Sequence, residues 1–434
     1  MESTLEHARP ATEQKFFYGW YIVGVGFLAN VASAFSLAST MSVFLKPLTT
    51  DLGVSRGVFS LLRSGEGLIA AFLAPVIGTL MDRYGGRWLM VFGAIVAGLG
   101  YIVLSYVDNF WQFSVVRLSL ITVGDSFMGY IVINLAIAHW FSRKRGRALA
   151  LTSMGIGFAK VGMPILAASL IVWLGWRQTW LVFGFITFVL VVGPALLIVR
   201  RSPEGMGLNP DGALSAGSTD DSSRSTKNPS IALSTSQDDV EWTRNEALRT
   251  QAFWLLVITF GISSIGVTGL NLHVFPYVSD LGHPPVVAAT VMSVIASMQL
   301  ASPIAWGVLA ERIDARFAAT LRFVVQGIGL ALAIMTDNLY CLYAGFFLYG
   351  IGLGGNMVLP DILWANYFGR RSLGKVRGLG LLISQAVAAM GPPFFGFLFD
   401  LTGDYDLSFV LFGAALMTSA FLSLMLRPPL KRSA

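Results

Sequence analysis

The chain has 434 residues, of which 55% are hydrophobic and only 12% are charged. Water-soluble proteins carry about 25% charged residues, so this composition excludes an ordinary soluble enzyme. The mean hydropathy of +0.67 indicates a protein that spans a membrane. A transmembrane helix needs about 20 apolar residues, so the chain has room for about twelve.

Cysteine, histidine and net charge exclude further classes. One cysteine, Cys341, excludes an internal disulfide, and four scattered histidines argue against a metal site or another bound cofactor. No cluster of His, Asp and Glu in the sequence indicates a membrane enzyme. The formal net charge of +6 could indicate nucleic-acid binding or Lys and Arg retained on one side of a membrane. Their distribution along the chain distinguishes the two.

The apolar stretches predict an all-α polytopic protein. Residues 1–17 form a polar cytoplasmic tail without the apolar core of a cleaved signal peptide. Twelve apolar stretches follow, which we number as spans one to twelve: 18–45, 56–80, 88–107, 111–139, 146–173, 176–199, 250–278, 285–309, 317–335, 338–366, 376–400 and 405–427. Tilted or bent helices accommodate the longer ones.

Basic residues alternate between the two sides of this arrangement. Of the 30 Lys and Arg residues, 23 lie in segments on the same side as both chain ends. The positive-inside rule therefore predicts that both termini lie in the cytoplasm. The protein would be a multi-pass protein of the cell (inner) membrane. Charge that alternates loop by loop removes the support for nucleic acid as a partner.

A polar segment divides the spans into six and six. Residues 207–240 are rich in Ser, Thr, Asp and Gly, which is typical of a flexible linker. We predict an N-terminal six-helix bundle at 18–199, a cytoplasmic linker at 200–249, a C-terminal bundle at 250–427 and a cytoplasmic tail at 428–434.

The two halves resemble each other in sequence. The segment from Pro47 to Gly53 recurs in the second half as Pro276 to Gly282. At nearly the same offset, Trp140-Phe141-Ser142-Arg143 recurs as Tyr367-Phe368-Gly369-Arg370. Repeats in register across several elements predict two pseudo-symmetric six-helix bundles.

The loop between spans two and three carries a family signature. Its sequence, Gly78-Thr-Leu-Met-Asp82-Arg83-Tyr-Gly85-Gly86-Arg87, resembles the G-x-L-x-D-R-x-G-R-(K/R) motif of the major facilitator superfamily. Asp82, Arg83 and Arg87 are predicted to form a gating network, with Gly78 allowing close helix contact. Alternatively, the arginines only anchor the topology.

The second half carries a weaker copy of this signature and one further acid. Glu311 and Arg312 retain the acid and the base of the motif. Asp361, near the end of span ten, is predicted to join the gate through Arg370 or Arg371.

Further strings narrow the resemblance. The segment His139 to Ala150, the Gly175-Trp176-Arg177 turn and Tyr18-Gly19-Trp20 resemble the monocarboxylate transporters and their oxalate:formate antiporter-like relatives. The resemblance implies transport of small organic anions, coupled to protons or by exchange. Members of this family use a basic residue in span one and an Asp/Arg arrangement in span eight, whereas this chain has Ser39 in span one and no charged residue in span eight. The oxalate:formate type also uses a lysine in span eleven, where this chain has Ser384 and Gln385. The family's site residues therefore do not transfer.

Charged residues inside spans need a partner or a function, because each costs about 2.5–3.5 kcal/mol at the membrane centre. Asp125 and Lys160 lie about halfway along spans four and five. We predict that they face each other at a central cavity, as an ion pair or as a proton and substrate switch. A buried pair gains little stability over apolar packing, which favours the functional role.

Three further charges lie within spans two and four. Arg63 and Glu66 are three residues apart and can pair on one helix face, or Arg63 can attract an anion while Glu66 takes up a proton. Arg117 occupies the place of a superfamily arginine linked to proton coupling. Its alternative is a side chain that extends to the outer interface.

Four uncharged or titratable polar residues complete the candidate substrate site. Asn271 and His273 precede Pro276 in span seven, where His273 could titrate, bind an anion or simply be hydrated. Asn356 in span ten and Gln385 in span eleven are candidate hydrogen-bond partners of the substrate.

These observations predict a monomeric secondary transporter in the lipid bilayer. It would move a small organic anion, and the favoured substrate is a monocarboxylate carried together with a proton by alternating access. Lys160 would bind the carboxylate and Asp125 would carry the proton. The alternatives are an anion exchanger and a transporter of a zwitterionic or amine-bearing metabolite, whose positive group Asp125 or Glu66 would receive.

Overall fold

The structure is a computed structural model that describes residues 17–142, 144–206, 208–209, 242–335, 338–369 and 373–429. All of the regular secondary structure in these residues is helical. The apolar stretches of the sequence form it, as expected when backbone polar groups must be hydrogen-bonded within each membrane segment. Part of the predicted linker, 210–241, and the ends of both tails lie outside the described residues.

The N-terminal half contains spans one to six. Its helices are Gly19–Ser33 and Ala38–Asp51 in span one, Arg56–Tyr84 in span two, Gly86–Leu104 in span three, Phe110–Val116, Thr122–Met128 and Tyr130–Trp140 in span four, Arg145–Thr187 across spans five and six, and Gly193–Ile198 at the end of span six.

The C-terminal half contains spans seven to twelve. Its helices are Gln251–Asp280 in span seven, Pro285–Ala301 and Pro303–Arg312 in span eight, Ala315–Ile334 in span nine, Leu339–Gly354 and Leu359–Phe368 in span ten, Leu373–Ala388 and Gly391–Thr402 in span eleven, and Asp406–Leu424 in span twelve.

Gly175 separates two spans at a kink inside one long helical stretch. Eleven helical stretches in the described residues are long and apolar enough to cross a membrane, and one of them, Arg145–Ile198, has 54 residues. Gly175 lies inside it with a φ of 80° and a ψ of 164°, a conformation that favours glycine. The chain turns there, so the stretch is two spans and the described total is the predicted twelve.

The ends of each half lie at one face of the molecule. Tyr18 Oη donates to Ile198 O at 2.7 Å, which joins the start of span one to the end of span six. Arg316 Nη1 donates to Leu426 O at 3.4 Å beside the end of span twelve. We call this the terminal face, and the opposite one, with the Gly175 turn and Asp280, the distal face.

The C-terminal half begins a few residues before the predicted boundary at 250. Residues Arg244–Leu248 form a short helix, whose Thr243 and Glu246 side chains bond reciprocally to each other's backbone nitrogens. Trp242 packs edge-on against Phe368, with ring centroids 5.5 Å apart. The segment 242–249 therefore packs on the C-terminal bundle.

Several spans are interrupted near their middle. In span one, a 3-10 turn at Ala34–Ser36 is followed by extended Leu37, with ψ 152°. In span four, Gly129 adopts φ −87° and ψ −158° between two helices. In span ten, a 3-10 turn at Gly355–Met357 separates the two helices. Interrupted helices expose backbone groups at membrane depth, where they are tolerated only beside protein or a cavity.

Candidate functional site

A cavity of about 130 Å³ lies between the two halves. The N-terminal half contributes Arg63, Lys160 and Ser39, and the C-terminal half contributes Asn271 and Gln299. The ammonium group of Lys160 has no hydrogen bond or ion pair to any residue that the structure describes. A cation with no partner among these residues therefore faces a small space that both halves enclose.

A second cavity, of about 290 Å³, lies within the N-terminal half. Its lining includes Asp125 and Ser126 from span four, Asn30 and Ser33 from span one, and Arg63 from span two. Arg63 and Leu37 line both cavities. The two spaces are therefore neighbours, with the Arg63 side chain between them.

Glu66 binds two arginines. Arg63 Nη1 lies 2.5 Å from Glu66 Oε2 on the same helix. Arg117 Nη2 lies 2.6 Å from Glu66 Oε1 and joins span four to span two. Arg117 is 0% exposed, so the alternative in which it extends to the membrane interface is wrong. The predicted Arg63–Glu66 pair forms, but Glu66 compensates a buried arginine as well.

A chain of hydroxyl groups continues from Arg117 towards Asp125. Arg117 Nη1 lies 3.4 Å from Ser36 Oγ, which lies 3.0 Å from Tyr101 Oη. Tyr101 Oη donates to Asp125 Oδ2 at 3.4 Å. Together with the Glu66 pairs, these links connect Asp125 to Arg63 through side chains of spans one to four.

The predicted Asp125–Lys160 pair is absent among the described contacts. Asp125 is bonded to Tyr101 and lines the cavity of the N-terminal half, whereas Lys160 lines the cavity between the halves. Similar depth along neighbouring spans does not fix which face of each helix a side chain occupies. The two charges act in separate spaces.

The distal face joins the halves through a shared carboxylate. Asp280 of span seven lies 2.9 Å from Lys46 Nζ and 2.5 Å from Arg56 Nη1, both in the N-terminal half. Arg56 also donates to Tyr405 Oη at 2.9 Å and stacks on Phe399, 3.8 Å from the ring centroid. One arginine of the first half is therefore held by an acid, a hydroxyl and a ring of the second half.

Spans two and eleven meet at the same face in a close backbone contact. A Cβ placed on Gly396 would lie 2.7 Å from Arg56 O and 2.7 Å from Gly57 Cα. Asp400 caps the start of span two, accepting hydrogen bonds from Arg56 N at 3.0 Å and Gly57 N at 2.8 Å. This contact was not predicted, because nothing local in the sequence shows which glycine faces the other half.

His273 also lies at the distal face. It is 0% exposed, and its ring nitrogens lie 3.1 Å from Ser60 Oγ, 2.9 Å from Tyr405 Oη and 3.0 Å from Pro392 O. It lines neither cavity, so the prediction that it is hydrated is wrong and an anion has no access to it in this conformation.

The described contacts between halves are confined to the distal face and the middle of the molecule. Near the middle, Ser64 Oγ donates to Ala389 O and Ser293 Oγ donates to Val161 O, each at 2.5 Å. No described hydrogen bond or ion pair joins the halves at the terminal face. The conformation is therefore closed distally.

The predicted substrate residues divide between the two spaces and the surface. Asn271 lines the cavity between the halves, as expected. Asn356 and Gln385 line neither cavity, and Gln385 is exposed. Their proposed contact with substrate has no support in this conformation.

The predicted gating residues lie at the terminal face. Among the described contacts, Asp82, Arg83, Glu311 and Arg312 form no ion pair, and Arg201 Nη2 donates to the backbone oxygen of Asp82 at 2.6 Å. A Cβ on Gly78 would touch nothing within 4 Å, so the expected close helix contact is absent here. The gating role of these residues therefore stays a prediction.

Two further gating predictions concern Arg87 and Asp361. The Arg87 guanidinium lies 5.5 Å from the Trp88 ring centroid, and its Nε has no hydrogen-bond partner in the described part of the chain. Asp361 is paired with Arg377 of span eleven. Arg370 and Arg371, its predicted partners, lie outside the described residues. Asp361 therefore joins spans ten and eleven of its own half.

One buried charge was not predicted as a site residue. Arg322 of span nine is 0% exposed and has no acidic partner among the described residues. Its Nη2 lies 3.5 Å from Ser263 Oγ, and its guanidinium lies 3.9 Å from the Phe323 ring centroid. A charge inside a predicted span was the signal that could have identified it.

The fold and these sites agree with a match to a known family. Residues 26–329 and 293–434 match the model of the Major Facilitator Superfamily. The chain belongs to this superfamily of membrane transporters, and the predicted resemblance is confirmed. It is a transporter, not an enzyme.

Individual relatives are distant but span most of the chain. The uncharacterized MFS-type transporter YhjX of Escherichia coli (strain K12) is 23% identical, over 81% of this chain and 82% of that protein. Monocarboxylate transporter 2 of Homo sapiens is 22% identical, over 93% of this chain and 84% of that protein.

Solved structures share the fold at lower identity. A bacterial homolog to the human lysosomal transporter Spinster, in an inward-facing and unoccupied conformation, superposes with a TM-score of 0.70. It is 15% identical, over 96% of this chain and 95% of that chain. The nucleoside transporter NupG has a TM-score of 0.67 at 12% identity, over 95% of this chain and 99% of that chain. These likenesses establish the fold alone.

Proposed function

We propose that this transporter moves a small monocarboxylate together with a proton by alternating access. The observation that carries the proposal is Lys160, whose ammonium group has no described partner and lines the cavity between the halves. Arg63 and Asn271 line the same cavity. A carboxylate bound there would gain a charge-assisted hydrogen bond from Lys160 and a second donor from Arg63. The monocarboxylate transporters among its relatives support the same substrate class.

The size of the cavity favours a small substrate. A water molecule takes up about 30 Å³ of the liquid, so about 130 Å³ corresponds to a few water molecules. That space suits a carboxylate with a short carbon chain. A larger ligand would require the halves to separate further.

Proton coupling is proposed for Asp125. With Asp125 ionised, the linked groups Arg63, Arg117, Glu66 and Asp125 balance in charge. A proton on Asp125 leaves them with one excess positive charge beside the cavity, which strengthens carboxylate binding. By linkage, bound carboxylate strengthens proton binding to the same extent.

The orientation follows from the basic residues of the terminal face. We place the protein in the inner membrane with the terminal face in the cytoplasm, as the positive-inside rule indicates. The conformation is then open to the cytoplasm. Both cavities are built within one chain, which supports a monomer as the transporting unit.

The test is uptake of radiolabelled lactate into proteoliposomes, with and without an inside-alkaline pH gradient. We expect stimulation by the gradient, competition by propionate, and no competition by betaines or neutral amino acids. Competition by betaines alone would instead support a zwitterionic substrate. Stimulation by internal lactate without any response to the gradient would support exchange and reject symport.

Two variants assign the roles. Lys160→Ala should lower uptake about a hundredfold, because a charged partner of the carboxylate is lost, and Lys160→Arg should retain part of it. Asp125→Asn should abolish the response to the pH gradient. Full uptake by Lys160→Ala, at wild-type protein abundance, would contradict the assignment of the substrate site.

A further inference from the structure

The cavity of the N-terminal half lies where two helices are interrupted. Span one leaves helical geometry at Leu37, and span four does so at Gly129. Both residues line this cavity of about 290 Å³. In membrane transporters, backbone freed by broken helices is a place where coupling cations are coordinated.

Three buried oxygen atoms of this cavity have no hydrogen-bond partner among the residues that the structure describes. They are Asp125 Oδ1, Asn30 Oδ1 and Ser33 Oγ. Asn30 is 1% exposed, and its Nδ2 donates to Thr152 O at 2.9 Å, which fixes its free oxygen. A buried acceptor without a donor costs free energy, so an arrangement of several requires a ligand or a functional reason.

The three oxygens come from spans that face each other. Asn30 and Ser33 are three residues apart and share a face of span one. A Cβ on Gly129 would lie 3.5 Å from Ser33 Oγ and 2.6 Å from the backbone oxygen of Asp125. Ser33 therefore sits against the turn of span four that carries Asp125.

The charge of the surroundings selects a monovalent cation. Glu66 is paired with Arg63 and Arg117. Among the described residues, Asp125 is therefore the one carboxylate of this cavity without an ion-pair partner. A monovalent ion at Asp125 leaves the linked groups with one excess positive charge, as a proton does, whereas a divalent ion would leave two such charges inside the membrane. Carboxylate, amide and hydroxyl oxygens suit a hard ion rather than a soft metal.

We propose that this cavity is a sodium site, formed by Asp125, Asn30 and Ser33, in which Na⁺ and a proton compete for the Asp125 carboxylate. The competition between Na⁺ and the proton rests on the proposed function, in which Asp125 carries the proton. The binding of Na⁺ by itself does not rest on that function. The other ionisable groups that face Asp125 are Tyr101 of span three and, through Ser36, the Arg117–Glu66 pair. A bound Na⁺ supplies the same excess positive charge beside Arg63 as a proton.

Binding is tested on the purified full-length protein in detergent. NaCl should raise the midpoint of thermal unfolding relative to choline chloride at equal ionic strength, in a saturable manner. Ser33→Ala, and separately Asn30→Ala, should raise the half-saturating Na⁺ concentration about tenfold or more, and Asp125→Asn should abolish the effect. Ser119→Ala is the matched control, because Ser119 is an exposed residue of span four outside the cavity.

Coupling is tested in proteoliposomes with a Na⁺ gradient or a pH gradient imposed separately. Either gradient should drive lactate uptake in the wild type, and Ser33→Ala should lower the ratio of Na⁺-driven to proton-driven uptake about tenfold. Absence of a Na⁺-dependent rise in the unfolding midpoint, with proton-driven uptake intact, would overturn the sodium site and leave the proposed function standing. A rise in the midpoint without uptake under either gradient would reject the symport function and leave the site. If Na⁺ binds and only the pH gradient drives uptake, Na⁺ does not replace the proton in transport, and that part of the proposal is overturned.

Discussion

The two halves share a fold but place buried charge differently. In the N-terminal half, the fully buried Arg117 is paired with Glu66, and hydroxyl groups link it to Asp125. In the C-terminal half, the fully buried Arg322 has aromatic neighbours and one long hydrogen bond to Ser263. The first half therefore holds a compensated polar network, and the second holds a cation without an acidic partner among the described residues.

The interruptions of the helices show the same asymmetry. Gly129 in span four and Asn356 in span ten lie at corresponding places of the sequence repeat, and each is at the break between two helices. The break in span four lies beside Asp125 and an open cavity, whereas a Cβ on Gly355 would meet the Arg322 side chain at 2.7 Å. The repeat thus keeps the position of the break, while its backbone conformation and the side chains around it differ.

The largest expected effect is a difference in stability between the variants Arg117→Met and Arg322→Met. Removing Arg117 leaves Glu66 with one partner, which should lower stability by about 3 kcal/mol. Removing Arg322 eliminates a charge for which the described residues supply no acidic partner, so stability should stay level or rise by about 1 kcal/mol or more. The midpoint of unfolding in micelles of increasing SDS content measures both.

An exposed arginine provides the control for this pair. Arg312→Met, at the terminal face, should change stability by less than about 0.5 kcal/mol. Equal losses of stability in the Arg117 and Arg322 variants would show that the charge of Arg322 is compensated after all. The contrast between the two halves would then disappear.

The second effect tests the close contact of the halves at the distal face. Gly396→Val places a branched side chain where a Cβ alone would lie 2.7 Å from the backbone of span two. Overpacking costs about 1–3 kcal/mol, so the closed population should fall about tenfold. Pulsed electron-spin distances between labels at Thr50→Cys and Leu401→Cys, with Cys341→Ser as background, measure the separation.

A glycine without neighbours is the control for Gly396. A Cβ on Gly413 in span twelve would meet nothing within 4 Å, so Gly413→Val should leave the distance distribution unchanged. An unchanged distribution in Gly396→Val as well would mean that spans two and eleven are not held together by this contact.

The sequence predicts what is local and periodic. Twelve spans follow from apolar length, and the Arg63–Glu66 pair follows from helical spacing. The second partner of Glu66 is Arg117, far along the chain on another helix, and no local pattern identifies it. Nothing in the residue types shows which faces spans four and five turn to their neighbours, and that orientation separates Asp125 from Lys160.

The contacts of residues at matched positions of the repeat also depend on distant parts of the chain. Asp51 and Asp280 are matched positions of the repeated segment, and their local sequences offer no reason to treat them differently. Asp51 lies 2.7 Å from Arg177 of its own half, whereas Asp280 binds Lys46 and Arg56 of the other half. Only the packing of one half on the other creates this difference.

The smallest expected effect uses this matched pair. Asp280→Asn removes two partly exposed ion pairs that join the halves, together worth about 1 kcal/mol, so the closed population should fall about fivefold. Asp51→Asn removes a pair within one half and should leave the distance between the same spin labels unchanged. Because the Asp280 pairs reach solvent, high salt should shrink the difference between the two variants. If both variants opened the distal face equally, the local stability of the loops, rather than the contact between halves, would control its closure.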